Sequence, residues 1–210
     1  MNAPGLIETM RLRANRTIDR LDRHLNRLKR SAQALSIPYD AQWLGHLLDA
    51  VDPEGEDRRI RIELTPSGKS IVITSEFPAD PDRTIWRLGI ASTRLDSTNT
   101  LLRHKTTFRD HYTTAREEFP ATQADEVLLL NERGEVCEGT ITSLFIQTDD
   151  TGPLLTPSIE CGLLAGVLRQ DLLDTGRARQ AILTLDDLRG ARALYIGNSL
   201  RGLMPAVLND

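Results

Sequence analysis

The first third of the chain alternates between two hydrophobic periods. Residues 6–13, LIETMRLR, mix apolar and polar positions as a half-buried strand does, and ANRT offers a turn. In IDRLDRHLNRLKRSAQALS, Leu21, Leu25, Leu28, Ala32 and Leu35 then recur at helical spacing with arginines on the other faces. A second helix is expected from Asp40 to about Ala50, stopped by DPEGED. RIRIEL and SIVITSEF alternate around TPSGK and predict a β-hairpin.

PADPDR, rich in proline and aspartate, reads as a boundary, and the pattern changes beyond it. TIWRLGIAS predicts a strand, and TTFRDHYTTAREEF a helix after a loop. DEVLLL and EVCEGTITSLFI predict two strands joined by NERG. LLTPSIECGLLAGVLRQDLLDTG runs from a strand end through a loop into a helix starting near Gly166, with Gly176 as its stop. LDDLRGA predicts a short helix, and ALYIGNSLRGLMPAVL a strand, a polar turn and a last strand. The expectation is an α+β or mixed α/β protein in two lobes, residues 1–85 and 86–210.

Composition narrows the function classes. A chain of 210 residues with net charge −4 offers no basic field for nucleic acid or anionic lipid, and its apolar runs are too short to span a membrane. The N-terminus has no apolar core of signal-peptide length, and Cys137 and Cys161 share no metal-ligand spacing with the four histidines. A reduced, cytoplasmic setting is expected, without metal, nucleic-acid or membrane partners. Lysine is scarce: Lys29, Lys69 and Lys105 stand against 23 arginines.

Four places can carry chemistry. Lys105, in RHKTTFR, is suited to forming an imine if its amine is desolvated or lies near other cations such as His104, Arg103 and Arg109. It could equally be a solvated surface lysine. Period two in EVCEGTITSLFI puts Val136, Glu138, Thr140 and Thr142 on one strand face, where a carboxylate needs a partner or a wet edge. The glycine opening GVLRQ presents the N–H groups of Gly166, Val167 and Leu168 as an anion site, or merely turns the chain. Asn198, Ser199 and Arg201 form a tight polar turn that could hold a phosphate or carboxylate, or simply cap a loop. Together these are the parts that pyridoxal phosphate requires.

In that order and combination the chain resembles the class IV aminotransferases, the fold type IV pyridoxal-phosphate enzymes, and most closely their aminodeoxychorismate lyase branch. The resemblance rests on the H-x-x-R-L element at His24–Leu28, RHKTTFRDHY, LLLNERGEVCEGTITSLFI, LLTPSIECGLLAGVLRQ and IGNSLRGL. It implies a two-lobed fold like that of the D-amino-acid aminotransferases, with a small N-terminal α/β lobe and a larger pseudo-barrel lobe. It further implies pyridoxal 5′-phosphate as cofactor, an amino substrate and a homodimer.

By the same resemblance Lys105 is the lysine that forms the imine and moves protons. Glu138 meets the pyridine nitrogen, and Arg27 clamps the phosphate. Val167 and Leu168 bind it through backbone N–H groups, Ser199 completes the cup, and Asn198 and Arg201 face the substrate. Ser143 stands where the family often has asparagine, and Leu168 where branched-chain members often have threonine. The chain begins almost at the first matched strand, as do lyase-like domains fused to a synthase component. The implied reaction is conversion of 4-amino-4-deoxychorismate to p-aminobenzoate and pyruvate. Transamination of branched-chain or D-amino acids is the alternative, and an inactive binding protein on the same fold is the alternative of another class.

Overall fold

The computed structural model describes residues 3–77 and 85–209. PADPDR, the expected boundary, lies outside the described residues. The fold is mixed α/β, and the chain divides into two compact units. They are not two contiguous stretches: Met1–Asp80 is joined by His104–Phe108, and the rest, Pro81–Arg103 with Arg109–Asp210, forms the second.

The first unit is a three-stranded antiparallel sheet of β1 (Leu6–Leu12), β2 (Arg58–Leu64) and β3 (Ser70–Glu76), in that order. Leu6, Met10, Ile60, Ile62 and Leu64 point to one side and pack on α1 (Leu21–Ala34) and α2 (Ala41–Asp49) through Leu28, Ala32 and Leu44. The Asp40 side chain caps α2 by accepting from the Trp43 N–H. Helix α1 begins three residues later than its pattern suggests. Ile18 pairs back to Leu12, and Arg20 takes a left-handed φ of 55°, so the chain cannot enter the helix before Leu21.

Segment 104–108 joins this unit through an isolated antiparallel bridge at the edge of β1. Lys105 O accepts from the Ile7 N–H, Gly5 O accepts from the Thr107 N–H, and Leu6 bridges Thr106. The helix expected to start at Thr106 is therefore confined to α3 (Asp110–Glu117). Edge pairing takes residues 105–107 away from the helical pattern. Lys105, expected in the C-terminal lobe, thus belongs to the first unit.

The second unit is an eight-stranded mixed sheet in the order β6-β5-β4-β11-β10-β7-β8-β9. Its strands are β4 (Trp86–Leu95), β5 (Glu126–Asn131), β6 (Val136–Gly139), β7 (Ser143–Gln147), β8 (Leu154–Pro157), β9 (Ala178–Ala181), β10 (Ala193–Asn198) and β11 (Gly202–Leu208). Helix α4 (Val167–Asp174) and α5 (Leu185–Gly190) complete it. Leu88, Leu128, Leu144 and Ile196 fill one core, while Phe145, Leu168 and Leu172 fill a smaller one beside α4.

EVCEGTITSLFI is not one strand. It breaks after Gly139 because the buried Glu126 carboxylate gathers the turn behind it. That carboxylate accepts from the N–H groups of Thr140 and Ile141 and from the hydroxyls of Thr140 and Thr142. A Cβ at Gly139 would lie 2.8 Å from Glu126 Oε2, so glycine is needed there. The alternation read across residues 136–145 therefore belongs to two strands. β9 carries no pattern that singled it out.

Removing core volume should cost far more than trimming the sheet edge. Leu144→Ala, at a fully buried site, is expected to lower the unfolding free energy by about 2–5 kcal/mol. Ile73→Ala, on exposed β3, should cost less than about 1 kcal/mol. Urea unfolding of both variants measures the contrast.

Candidate active-site residues

In the first unit the buried face of α1 is half polar. His24, Arg27 and Ser31 recur at i, i+3 and i+7 and point inward beside Leu28 and Ala32. Opposite them, Glu8 stands among Leu6, Met10 and Leu12 on the core side of β1 and is 1% exposed. Arg27 donates to Glu8 through Nε at 2.8 Å and Nη2 at 2.6 Å, a bidentate pair, and His24 Nδ1 lies 2.6 Å from Glu8 Oε2.

Burial alone would raise the Glu8 pKa. The Arg27 charge and the bonds from His24 and Arg27 outweigh that and hold it at about 2, against an ordinary 4.5. Burial pushes the His24 pKa down, with Glu8 opposing in part, so the imidazole is held neutral and Nδ1–H is the donor. Lys105 lies near enough to His24 for its charge to disfavour protonation there. The neighbouring His104 is tied by Nδ1 to Ser31 Oγ at 2.9 Å. Arg103 and Arg109, expected to crowd Lys105, are engaged within the second unit, with Glu160 and with Thr140 O respectively.

The second unit holds the remaining expected residues. Glu138, on β6, is 5% exposed, and its Oε1 accepts from the Tyr112 hydroxyl at 2.7 Å and the Leu164 N–H at 3.1 Å. Burial first, and then the Glu138 charge, push the Tyr112 pKa well above its ordinary value, so the phenol remains a donor. Gly166 is the N-cap of α4 and gives it no side-chain cap, which leaves the first-turn N–H groups of Val167 and Leu168 to other acceptors. A Cβ on Gly166 would sit 2.6 Å from Ser143 Oγ, and one on Gly197 would sit 2.7 Å from Leu168 Cδ2. Glycine at both positions lets β7 and β10 close on the helix start.

In the turn after β10, Asn198 Oδ1 accepts from the N–H groups of Leu200 and Arg201, and its Nδ2 reaches Ile141 O. Ser199 is buried, and the Arg201 guanidinium lies over the Trp86 ring. The expected residues thus fall into two sets, Arg27 and Lys105 in one unit and Glu138, Val167, Leu168, Asn198, Ser199 and Arg201 in the other.

The sequence did not single out Glu8, Tyr112, Leu164 or Glu126. Glu8 left a signal, a carboxylate on the apolar side of LIETMRL. Tyr112 and Leu164 left none, because their partner is distant along the chain.

The mixed α/β frame thus carries a lysine in one unit, and a buried carboxylate and a helix start cleared by glycine in the other. The family model described as Amino-transferase class IV matches residues 5–208, and the chain belongs to that family of pyridoxal-phosphate-dependent enzymes. A crystal structure from Mesorhizobium loti, provisionally named an amino-acid aminotransferase, is 51% identical with a TM-score of 0.93, covering 98% of this chain and 100% of that one. The 4-amino-4-deoxychorismate lyase of Pseudomonas aeruginosa is 27% identical with a TM-score of 0.84, over 99% of this chain and 84% of that one. A Thermotoga maritima protein, provisionally named a branched-chain-amino-acid aminotransferase, is 25% identical over 87% of this chain and 69% of its own length.

The donor chemistry fits the family's cofactor. A phosphate suits uncapped helix N–H groups, and a buried carboxylate suits a protonated ring nitrogen. The absent side chain at Gly166 leaves room at Ser143 that any Cβ would fill.

Because Glu8 titrates lower in the folded protein than in the unfolded chain, its stabilisation is complete above about pH 4.5 and is lost as pH falls through about 2. Glu8→Leu, which strands Arg27 and His24, is expected to cost roughly 3–5 kcal/mol at pH 7. That deficit should shrink as pH falls from about 4.5 towards 2, which urea titrations between about pH 7 and 2 will follow.

Proposed function

We propose that the protein is a pyridoxal-phosphate-dependent lyase that converts 4-amino-4-deoxychorismate into p-aminobenzoate and pyruvate, a step of folate synthesis. The observation that carries the enzymatic part is the placement of Lys105. Its backbone is pinned to β1 in the unit that also holds Arg27, on a segment fixed again by the bond between His104 and Ser31. The lyase assignment draws on lyases such as that of P. aeruginosa matching along almost the whole chain.

When bound, pyridoxal phosphate supplies an aldehyde that condenses with amines and a cationic ring that takes up an electron pair. In the first unit, Arg27 would hold the phosphate and Lys105 would hold the aldehyde. In the second, the N–H groups of Val167 and Leu168 and the Ser199 hydroxyl would hold the phosphate, and Glu138 would keep a proton on the ring nitrogen. Asn198 and Arg201 meet the substrate. Lys105 Nζ takes the proton from the amine-bearing carbon of the substrate. The C–O bond to the enolpyruvyl group breaks, that fragment gains a proton to become pyruvate, and the ring becomes aromatic. We assign the chain to the cytoplasm as a homodimer, the oligomer to be checked by light scattering.

Amino-group transfer is the second reading, favoured by the names of the M. loti and T. maritima proteins. In it Lys105 would pass the proton to the cofactor's carbon instead of back to the substrate, water would release the 2-oxo acid, and no leaving group departs.

The purified protein with added cofactor should release p-aminobenzoate from 4-amino-4-deoxychorismate, detected by fluorescence. Lys105→Ala should slow that release by roughly 10²–10⁴-fold. Amino transfer from a branched-chain or D-amino acid to a 2-oxo acid, without p-aminobenzoate, would replace the lyase by the transaminase. Neither product would leave an inactive binding protein.

A further inference from the structure

The start of α3 meets β6 and the turn after it through Tyr112 on the helix and Arg109 at its N-cap, three residues apart. Tyr112 donates its hydroxyl to Glu138 Oε1 at 2.7 Å, and Arg109 donates Nη2 to Thr140 O at 2.6 Å, so the first turn of α3 and its N-cap hold both ends of the stretch 138–140. The two side chains also touch each other, the Arg109 guanidinium lying 4.7 Å above the centre of the Tyr112 ring. A cation on that face draws density from the phenol and makes its O–H a better donor. The ring packs against the cluster that contains Cys137, Leu102 and Ala115, which keeps the hydroxyl aimed at the carboxylate. Leu164 N–H falls on the same oxygen, so Oε1 is fixed from two directions.

We propose that Tyr112 is a positioning residue for Glu138: its hydroxyl orients the carboxylate and holds it as an anion, with Arg109 strengthening the donor. A hydrogen bond to the charged form favours that form, so Tyr112 weakens Glu138 as a base. The consequence for the reaction rests on the reading of Glu138 as partner of the ring nitrogen. An anionic carboxylate leaves the proton on that nitrogen, whereas a more basic one draws the proton to itself and reduces the ring's pull on electrons. Among the groups acting on Glu138, Arg169 on α4 also favours the anion, and Cys137 beside it is held protonated by burial. Tyr112 touches the carboxylate directly and can be altered by a single atom.

The test uses the full-length protein with ¹³C-labelled glutamate carboxyls, the Glu138 signal being assigned by its loss in Glu138→Gln. Tyr112→Phe keeps the ring and removes the donor, and the Glu138 titration midpoint should rise by about one pH unit, a tenfold change in proton affinity. Replacing all three tyrosines by 3-fluorotyrosine sharpens the donor and should move the midpoint down, a second arm that tolerates any folding defect of the first. No movement in either protein would overturn the proposal. With cofactor added, the pH midpoint of the visible band should shift in Tyr112→Phe and further in Glu138→Gln. A Glu138 midpoint that moves while the visible band responds to neither substitution would uphold the role of Tyr112. It would sink the assignment of Glu138 to the ring nitrogen.

Discussion

The backbone pairing of residues 105–107 with residues 5–7 is the constraint on which the first unit's chemistry depends. Two N–H···O bonds, Ile7 to Lys105 and Thr107 to Gly5, carry a segment across about a hundred residues of sequence into the sheet. Gly5 is close enough to Leu64 O and Thr107 Cγ2 that a larger residue would press on both. The pairing places a lysine in the unit where α1 presents His24, Arg27 and Ser31 on a buried face. Glu8 makes that face tenable. A buried guanidinium without a carboxylate is costly, and the bidentate pair fixes the plane of Arg27 as well as neutralising it.

The second unit solves a related problem with neutral donors. Glu126, 1% exposed, receives backbone N–H groups and threonine hydroxyls from the turn at 140–142, and Glu138 receives a tyrosine hydroxyl and a backbone N–H. The turn bound by Glu126 separates β6 from β7 and sets Glu138 at the end of one and Ser143 at the start of the other. Gly166 then brings α4 against Ser143. The positions of Glu138 and Ser143 are thus set by the Glu126 carboxylate and by the glycines at 139 and 166.

Local patterns made most elements legible. The alternation in LIETMRLR and RIRIEL, the leucine spacing of α1, and the glycines at 166 and 176 place their elements within a few residues. What escaped depends on partners far along the chain. TTF in RHKTTFR looked helical because strand pairing with Leu6 has no local signature, and EVCEGTITSLFI looked continuous because the Glu126 carboxylate that breaks it comes from the preceding strand. Lys105, Arg27 and Glu138 were visible as an ordered set of motifs. Their supports, Glu8 and Tyr112, were not, because a supporting residue is defined by what it touches.

The central claim is that Lys105 is the residue to which pyridoxal phosphate attaches. The direct measurement is the visible absorption of the protein with added cofactor, after desalting, followed by borohydride reduction and peptide mapping. A yellow band that survives desalting, is absent in Lys105→Ala, and maps to the peptide containing Lys105 is the predicted result. A protein that remains colourless with ample cofactor, or a label on Lys29 or Lys69, would contradict it.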